Sequence, residues 1–183
     1  MNRHLSIVIS VVLAIILASC GDKQMDSLYD TQESNIEGIV ENLTKSSESA
    51  TVQKNNGSVR VTVVQGEGAP LEDNGAVAFY YAGFYITGKS ISNNNLFATN
   101  YETFANSIRW SVTDTTAFNI ATIRLGEDKI VDGLRDGLVG VKGGEECYVL
   151  FNGKGGFGKK KIGNIPSNAA LAYHLWIKSV SNE

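Results

Sequence analysis

One stretch of this chain has helical spacing where the sequence around it reads as strands. Ile130, Val131, Leu134 and Leu138 form a single apolar stripe, interrupted by Asp132, Arg135 and Asp136. Gly126-Glu127-Asp128 precede the stripe, with Asp128 read as a cap and the early acids suited to the positive end of a helix dipole. Gly140 and Gly143-Gly144 bracket its exit. A helix of about two to three turns with one apolar face must bury that face on another element. The flanking segments say which element that is.

Val59, Val61 and Val63 alternate with Arg60 and Thr62, and Ala76 to Ile86 is a longer run of Val, Phe and Tyr broken by Gly83. Thr87 to Phe118 turns polar around Asn93-Asn94-Asn95 and reads as a long excursion, the 88–118 insertion. Ile120 to Leu125 and Glu145 to Phe151 return to strand. In the last strand Leu171, Tyr173, Leu175 and Ile177 face one way, while Ala172, His174, Trp176 and Lys178 face the other. Strands, one short helix, then two more strands predict an α+β domain: an antiparallel sheet with one face on the helix.

Upstream, a charged start and the apolar run Leu5 to Leu17 read as a signal sequence over residues 1–19, since the run falls short of the ~20 apolar residues of a permanent span. Leu17-Ala18-Ser19-Cys20 resembles the lipobox of bacterial lipoproteins, which implies lipidation of Cys20 and anchoring without a spanning helix. Residues 20–57 are expected to be a tether. Leu28, Tyr29, Ile36, Ile39, Val40 and Leu43 predict an amphipathic helix from about Met25 to Lys45 within it, and Ser46 to Gly57 a linker into a domain at 58–183. The expected location is the cell envelope, on the outer membrane, with periplasmic or surface display left open.

The residue inventory removes whole classes of chemistry. A net charge of −3 without a basic face argues against nucleic acid as a partner. With Cys20 assigned to lipid, Cys147 has no partner for a disulfide and is expected as a buried strand residue rather than a nucleophile. His174 is the only imidazole left once residues 1–19 depart. Asp132 and Asp136 lack further ligands for a metal, Glu145 and Glu146 alternate faces and form no dyad, and Gly153 to Gly158 lacks the Gly-Lys-Ser/Thr ending of a phosphate loop. No cofactor is expected. Lys159-Lys160-Lys161 reads as a solvated tip able to attract an acidic substrate or lipid headgroup.

Four ordered segments carry a family resemblance. Ile130 to Gly144 resembles the central-helix signature of FKBP-type peptidyl-prolyl isomerases. Ala78-Phe79-Tyr80-Tyr81-Ala82-Gly83 is similar to the family's V-x-V-H-Y-T-G strand, Leu150 to Gly158 to its strand and "AYG" loop, and Ile165 to Tyr173 to its "IPPNATLVF" segment. The resemblance spans Ser58 to Val180 and implies a twisted antiparallel sheet of five to six strands wrapped around one short helix.

It also implies a pocket that grips a proline ring, formed by Tyr81, Phe97, Ile130, Val131, Leu134, Phe157 and Tyr173. Three positions depart from the best-known members. Leu134 replaces a pocket-floor tryptophan, Ala98 an aspartate, and Phe157 a tyrosine whose hydroxyl contacts the substrate carbonyl. The resemblance therefore implies a prolyl isomerase or folding helper for exported proteins with weakened activity. The alternatives are an inactive module that binds a protein segment and a purely structural lipoprotein.

Overall fold

The computed structural model describes residues 3–110 and 115–183, with side chains described for 23–110 and 117–183. The signal-sequence and Cys20 expectations rest on side chains outside the described residues. Two compact units are resolved by their internal contacts, residues 1–31 and 32–183. Helix α1 (Arg3–Ser46) supplies the first unit, where the Thr31 hydroxyl donates to the Ser27 carbonyl at 2.9 Å one turn back. Among the described residues no helix is long and apolar enough to cross a membrane.

The second unit is α+β. Strands β1 (Thr51–Asn55), β2 (Ser58–Val64), β3 (Ala76–Tyr85), β4 (Leu96–Thr99), β5 (Ala121–Arg124), β6 (Glu146–Phe151) and β7 (Leu171–Ser181) form one twisted antiparallel sheet. Their order is β1-β2-β6-β7-β3-β4, with β5 pairing the first half of β3 and β4 the second half. Helix α2 (Glu102–Ser107) lies in the 88–118 insertion, and helix α3 (Asp132–Leu138) precedes β6.

Helix α3 seats on what we term the front face. Its Leu134 and Leu138 join Val149, Phe151, Leu171, Tyr173, Leu175 and Ile177 in one apolar cluster. The helix has no side chain at two of its positions because the sheet is there. A Cβ on Gly133 would lie 2.2 Å from the Phe151 ring, and one on Gly137 2.1 Å from Val149 Cγ1, so only glycine lets the helix backbone rest on β6. At the helix end, buried Arg60 donates to the carbonyls of Gly137 at 2.8 Å and Val139 at 2.7 Å, satisfying groups that a helix leaves unpaired. Its Nε stands 3.4 Å from buried Glu145, which also accepts from the Thr62 hydroxyl and the Lys142 N–H. Cys147 is buried in the same cluster; burial, and after it Glu145, pushes its thiol well above the usual range, so it packs as an apolar residue.

The other, back face carries a second cluster. Ile36 and Ile39 of α1 are 1 % and 2 % exposed against Val59, Val61, Ala82, Phe84 and Ala172. Burying each contributes about 1.5–3 kcal/mol. That gain draws residues 32–46 into the compact unit, which corrects the tether reading: the apolar stripe that predicts a helix also needs a surface to cover.

Further differences have local causes. The expected linker holds β1, paired to β2 through a hairpin at Asn56-Gly57, both at positive φ. The sheet consequently has seven strands. Asp128 does not cap α3, whose N-cap is Val131; its carboxylate accepts the Arg124 N–H at 2.7 Å and closes the turn after β5. The polar excursion contains β4 and α2, with short 3-10 turns at Asn93–Asn95 and Thr115–Phe118.

Candidate functional site

Alternation along β3 and β7 sends Phe79, Tyr81 and Tyr173 to the front face, beside the start of α3. There the sheet and helix leave a hollow of about 490 Å³. Leu134 of α3 and Ile130 just before it close one side. Tyr81 and Tyr173 form the aromatic wall, their ring centroids 6.2 Å apart, and Phe97 of β4 meets Tyr173 edge-on at 5.8 Å. Phe97 reaches that place because its ring lies over Gly83, where a Cβ would stand 2.5 Å from it. Phe157 and the segment Ile162 to Ile165 complete the mouth.

Six of the seven expected residues thus share one hollow: Tyr81, Phe97, Ile130, Leu134, Phe157 and Tyr173. Val131 is the exception; as the N-cap of α3 it packs against the front core rather than lining the hollow. Ala98, paired across the ladder with Gly83, also lines it. Phe79, Ala121, Ile123 and Ile165 also line the hollow, beyond the residues that the resemblance implies. Phe79 was findable, being two residues before Tyr81 on the same strand face. Ala121 and Ile123 come from β5, which reaches the site only through pairing with β3.

Among the described residues no charged side chain lines the hollow. Its polarity rests on tyrosine hydroxyls, the Asn164 amide and backbone. Burial raises the Tyr81 hydroxyl above its ordinary value, and burial followed by the neighbouring Tyr81 raises Tyr173 further. Both therefore remain neutral O–H donors near neutral pH. A largely apolar hollow with a few donors suits differential binding of a weakly polar group. Among the described residues no group of three or more His, Cys, Asp or Glu side chains is gathered as a metal ion requires.

The loop at the mouth is anchored from three sides. Gln32 of α1, 7 % exposed, donates to the Asn168 carbonyl at 2.7 Å and accepts the Gly153 N–H at 2.9 Å, tying the two ends of the loop together. The Asn168 N–H donates to Gly158 at 2.5 Å, and the Gly133 N–H donates to Gly155 at 2.9 Å. In the sequence Gln32 falls within the expected tether, and no local pattern marks it as a clamp.

On the back face, His174 hydrogen-bonds Glu146 at 2.8 Å, stacks on Tyr148 at 4.0 Å and meets Trp176 at a tilt at 3.8 Å. Desolvation lowers the His174 pKa despite the carboxylate, and the His174 hydrogen bond lowers that of Glu146. A smaller hollow of about 290 Å³ adjoins this cluster, lined by Asn42, Ser46 and Phe104 among others.

Comparison with known proteins comes to the same fold. The family model described as FKBP-type peptidyl-prolyl cis-trans isomerase matches residues 69–178. Comparison with curated proteins yields no match. Among solved structures, the chain is similar to FkpA from Escherichia coli at 17 % identity and a TM-score of 0.56, covering 99 % of this chain and 73 % of that one. The N-terminal domain of FKBP42 from Arabidopsis thaliana aligns at 16 % identity and TM-score 0.54, over 72 % of this chain and 93 % of that one. A peptidyl-prolyl cis-trans isomerase from Pseudomonas syringae pv. tomato DC3000 aligns at 16 % identity and TM-score 0.52, over 82 % and 96 %.

Proposed function

This chain belongs to the FKBP-type peptidyl-prolyl cis-trans isomerase family, and from that premise we propose that its front hollow accelerates rotation about X-Pro bonds, at a reduced rate. The observation that carries the reading is the gathering of Tyr81, Phe97, Leu134, Phe157 and Tyr173 around one cavity whose described lining is uncharged. Amide resonance opposes rotation with a barrier of ~18–20 kcal/mol, and the twisted transition state has lost much of that conjugation and polarity. An apolar seat for the prolyl ring binds the twisted form better than the planar one, which is catalysis by differential binding. No covalent intermediate is needed.

The reduction in rate follows from Ala98 and Phe157, where the resemblance places a carboxylate and a hydroxyl. Each missing hydrogen bond is worth ~0.5–1.5 kcal/mol, up to about tenfold in rate if made in the transition state. The same two residues favour the second reading, a binding module that holds proline-containing segments without turning them over. A protease-free isomerisation assay on Xaa-Pro peptides separates the two. Exchange faster than in buffer supports the enzyme, while buffer rates for every peptide, together with measurable binding, leave the module.

The proposal extends to location. The Leu5 to Leu17 run and Leu17-Ala18-Ser19-Cys20 support cleavage before Cys20, its lipidation, and attachment of a folding helper for exported proteins at the envelope. Intact mass of the native protein checks this: an acylated Cys20 at the N-terminus is expected, and a retained Met1 overturns it.

A further inference from the structure

The described lining of the hollow carries no charge, but one rim does. Between two of its lining residues, Phe157 and Ile162, the chain runs through Lys159, Lys160 and Lys161, all exposed. From Asn152 to Ala170 there are four lysines and no acidic residue, in a chain whose net charge is −3. None of the three ammonium groups forms an ion pair with a carboxylate among the described residues. Asp132, by contrast, is held by Arg135 at 2.8 Å, and the Asp128 carboxylate accepts the Arg124 N–H.

The triplet is also held in place. A turn from the Lys160 N–H to the Phe157 carbonyl at 3.2 Å, a bridge between Ile162 and Ile165, and the Asn168 to Gly158 bond fix its backbone beside the mouth. Charge carried on a backbone held beside the mouth acts mainly on what approaches the cavity. At ionic strength near 0.1 M its field reaches about 10 Å, roughly the length of a few extended residues.

Building on the isomerase reading above, we propose that Lys159, Lys160 and Lys161 make this pocket selective for proline segments flanked by aspartate or glutamate. The lysines do not touch the prolyl ring; they choose among segments by charge and speed their encounter. The preference is therefore largest at low salt.

The test uses the full chain and matched Leu-Pro peptides carrying Glu-Glu, Ala-Ala or Lys-Lys on either side of the dipeptide. Peptide Kd is read by fluorescence anisotropy and kcat/KM by two-dimensional exchange NMR. Glu-Glu peptides are expected to bind about three- to tenfold more tightly than Ala-Ala peptides at low ionic strength, as two or three exposed pairs allow, with the ratio approaching one in 1 M salt. The variant K159E/K160E/K161E should reverse the order in favour of Lys-Lys. Equal affinity for all peptides, or a Glu-Glu preference that survives the charge reversal, overturns the proposal. So does loss of phosphatidylglycerol-vesicle binding in the variant with peptide ranking unchanged, which assigns the triplet to lipid. Absence of turnover alone, with the charge ranking intact, sinks the isomerase reading and not this one.

Discussion

The two faces of the sheet are built from the same strands and are nearly equal in aromatic content, yet they do different things. On the back, the His174 ring lies 4.0 Å from Tyr148 and 3.8 Å from Trp176, and α1 lays Ile36 and Ile39 over the strands beside them. On the front, the nearest ring pairs around the hollow stand 5.8–6.3 Å apart, and small residues, Gly83, Ala98 and Ala121, occupy neighbouring positions. Aromatic residues at alternate positions therefore do not by themselves mark a site. What distinguishes the front is that helix α3 is only seven residues long, and that beside it the loosely spaced rings line an open hollow.

Breaking the support of each face separately sharpens that contrast. The largest effect is expected from Arg60→Ala, which leaves Glu145 buried without its counter-charge and strips two carbonyls at the end of α3. Chemical denaturation should show a loss of about 3–5 kcal/mol, with peptide binding weakened because Leu134 rides on that helix. Ile36→Ala on the back should cost about 2–4 kcal/mol by the same measurement while leaving peptide Kd unchanged. If it weakened binding as much as Arg60→Ala does, the faces would not be separate.

Gln32→Ala crosses the division, since this α1 residue clamps both ends of the front loop. A stability loss of roughly 1–3 kcal/mol is expected from the two severed bonds and the buried groups they leave. Steady-state kinetics should register it as a raised KM, with kcat less affected, because the loop forms the mouth rather than the floor. Restoring polar groups on the front by Ala98→Asp with Phe157→Tyr should raise kcat/KM, by up to about tenfold for each bond regained. No change would mean that the cavity does not bring those positions to the substrate carbonyl.

The smallest effect is a pH signature confined to the back. His174 has a folded pKa below its ordinary 6.5, so the unfolded chain takes up a proton first as pH falls; Glu146, depressed from 4.5 by His174, adds stability that is lost as pH falls through its folded pKa. Stability should decline from about pH 6.5 downward. The front tyrosines shift upward and titrate only in alkali. Peptide affinity is accordingly expected to stay flat between pH 6 and 9, and His174→Phe to flatten the upper part of the stability profile.

How much of this the sequence discloses depends on the range of the cause. Helix α3, β6 and β7 follow from local periodicity, and β7's two faces are partitioned as the alternation of Leu171 to Lys178 predicts. The docking of Ile36 and Ile39 depends on the sheet surface they meet, which no local pattern announces. Strand β1 is five exposed residues with no apolar alternation; only the Asn56-Gly57 turn signals it. At the site, strand alternation and motif order locate Tyr81, Leu134 and Tyr173. Ala121, Ile123 and the Gln32 clamp arrive through strand pairing or through contacts more than a hundred residues apart in sequence.

The central claim is that the front hollow, and not the aromatic back, receives the prolyl ring. Side-chain NMR during titration with a Leu-Pro peptide tests it most directly. The account predicts shifts concentrated at Tyr81, Phe97, Ile130, Leu134 and Tyr173, with Ile36, Ile39 and Trp176 silent. Shifts centred on Tyr148, His174 and Trp176, with Leu134 and Tyr173 unmoved at saturation, would contradict it.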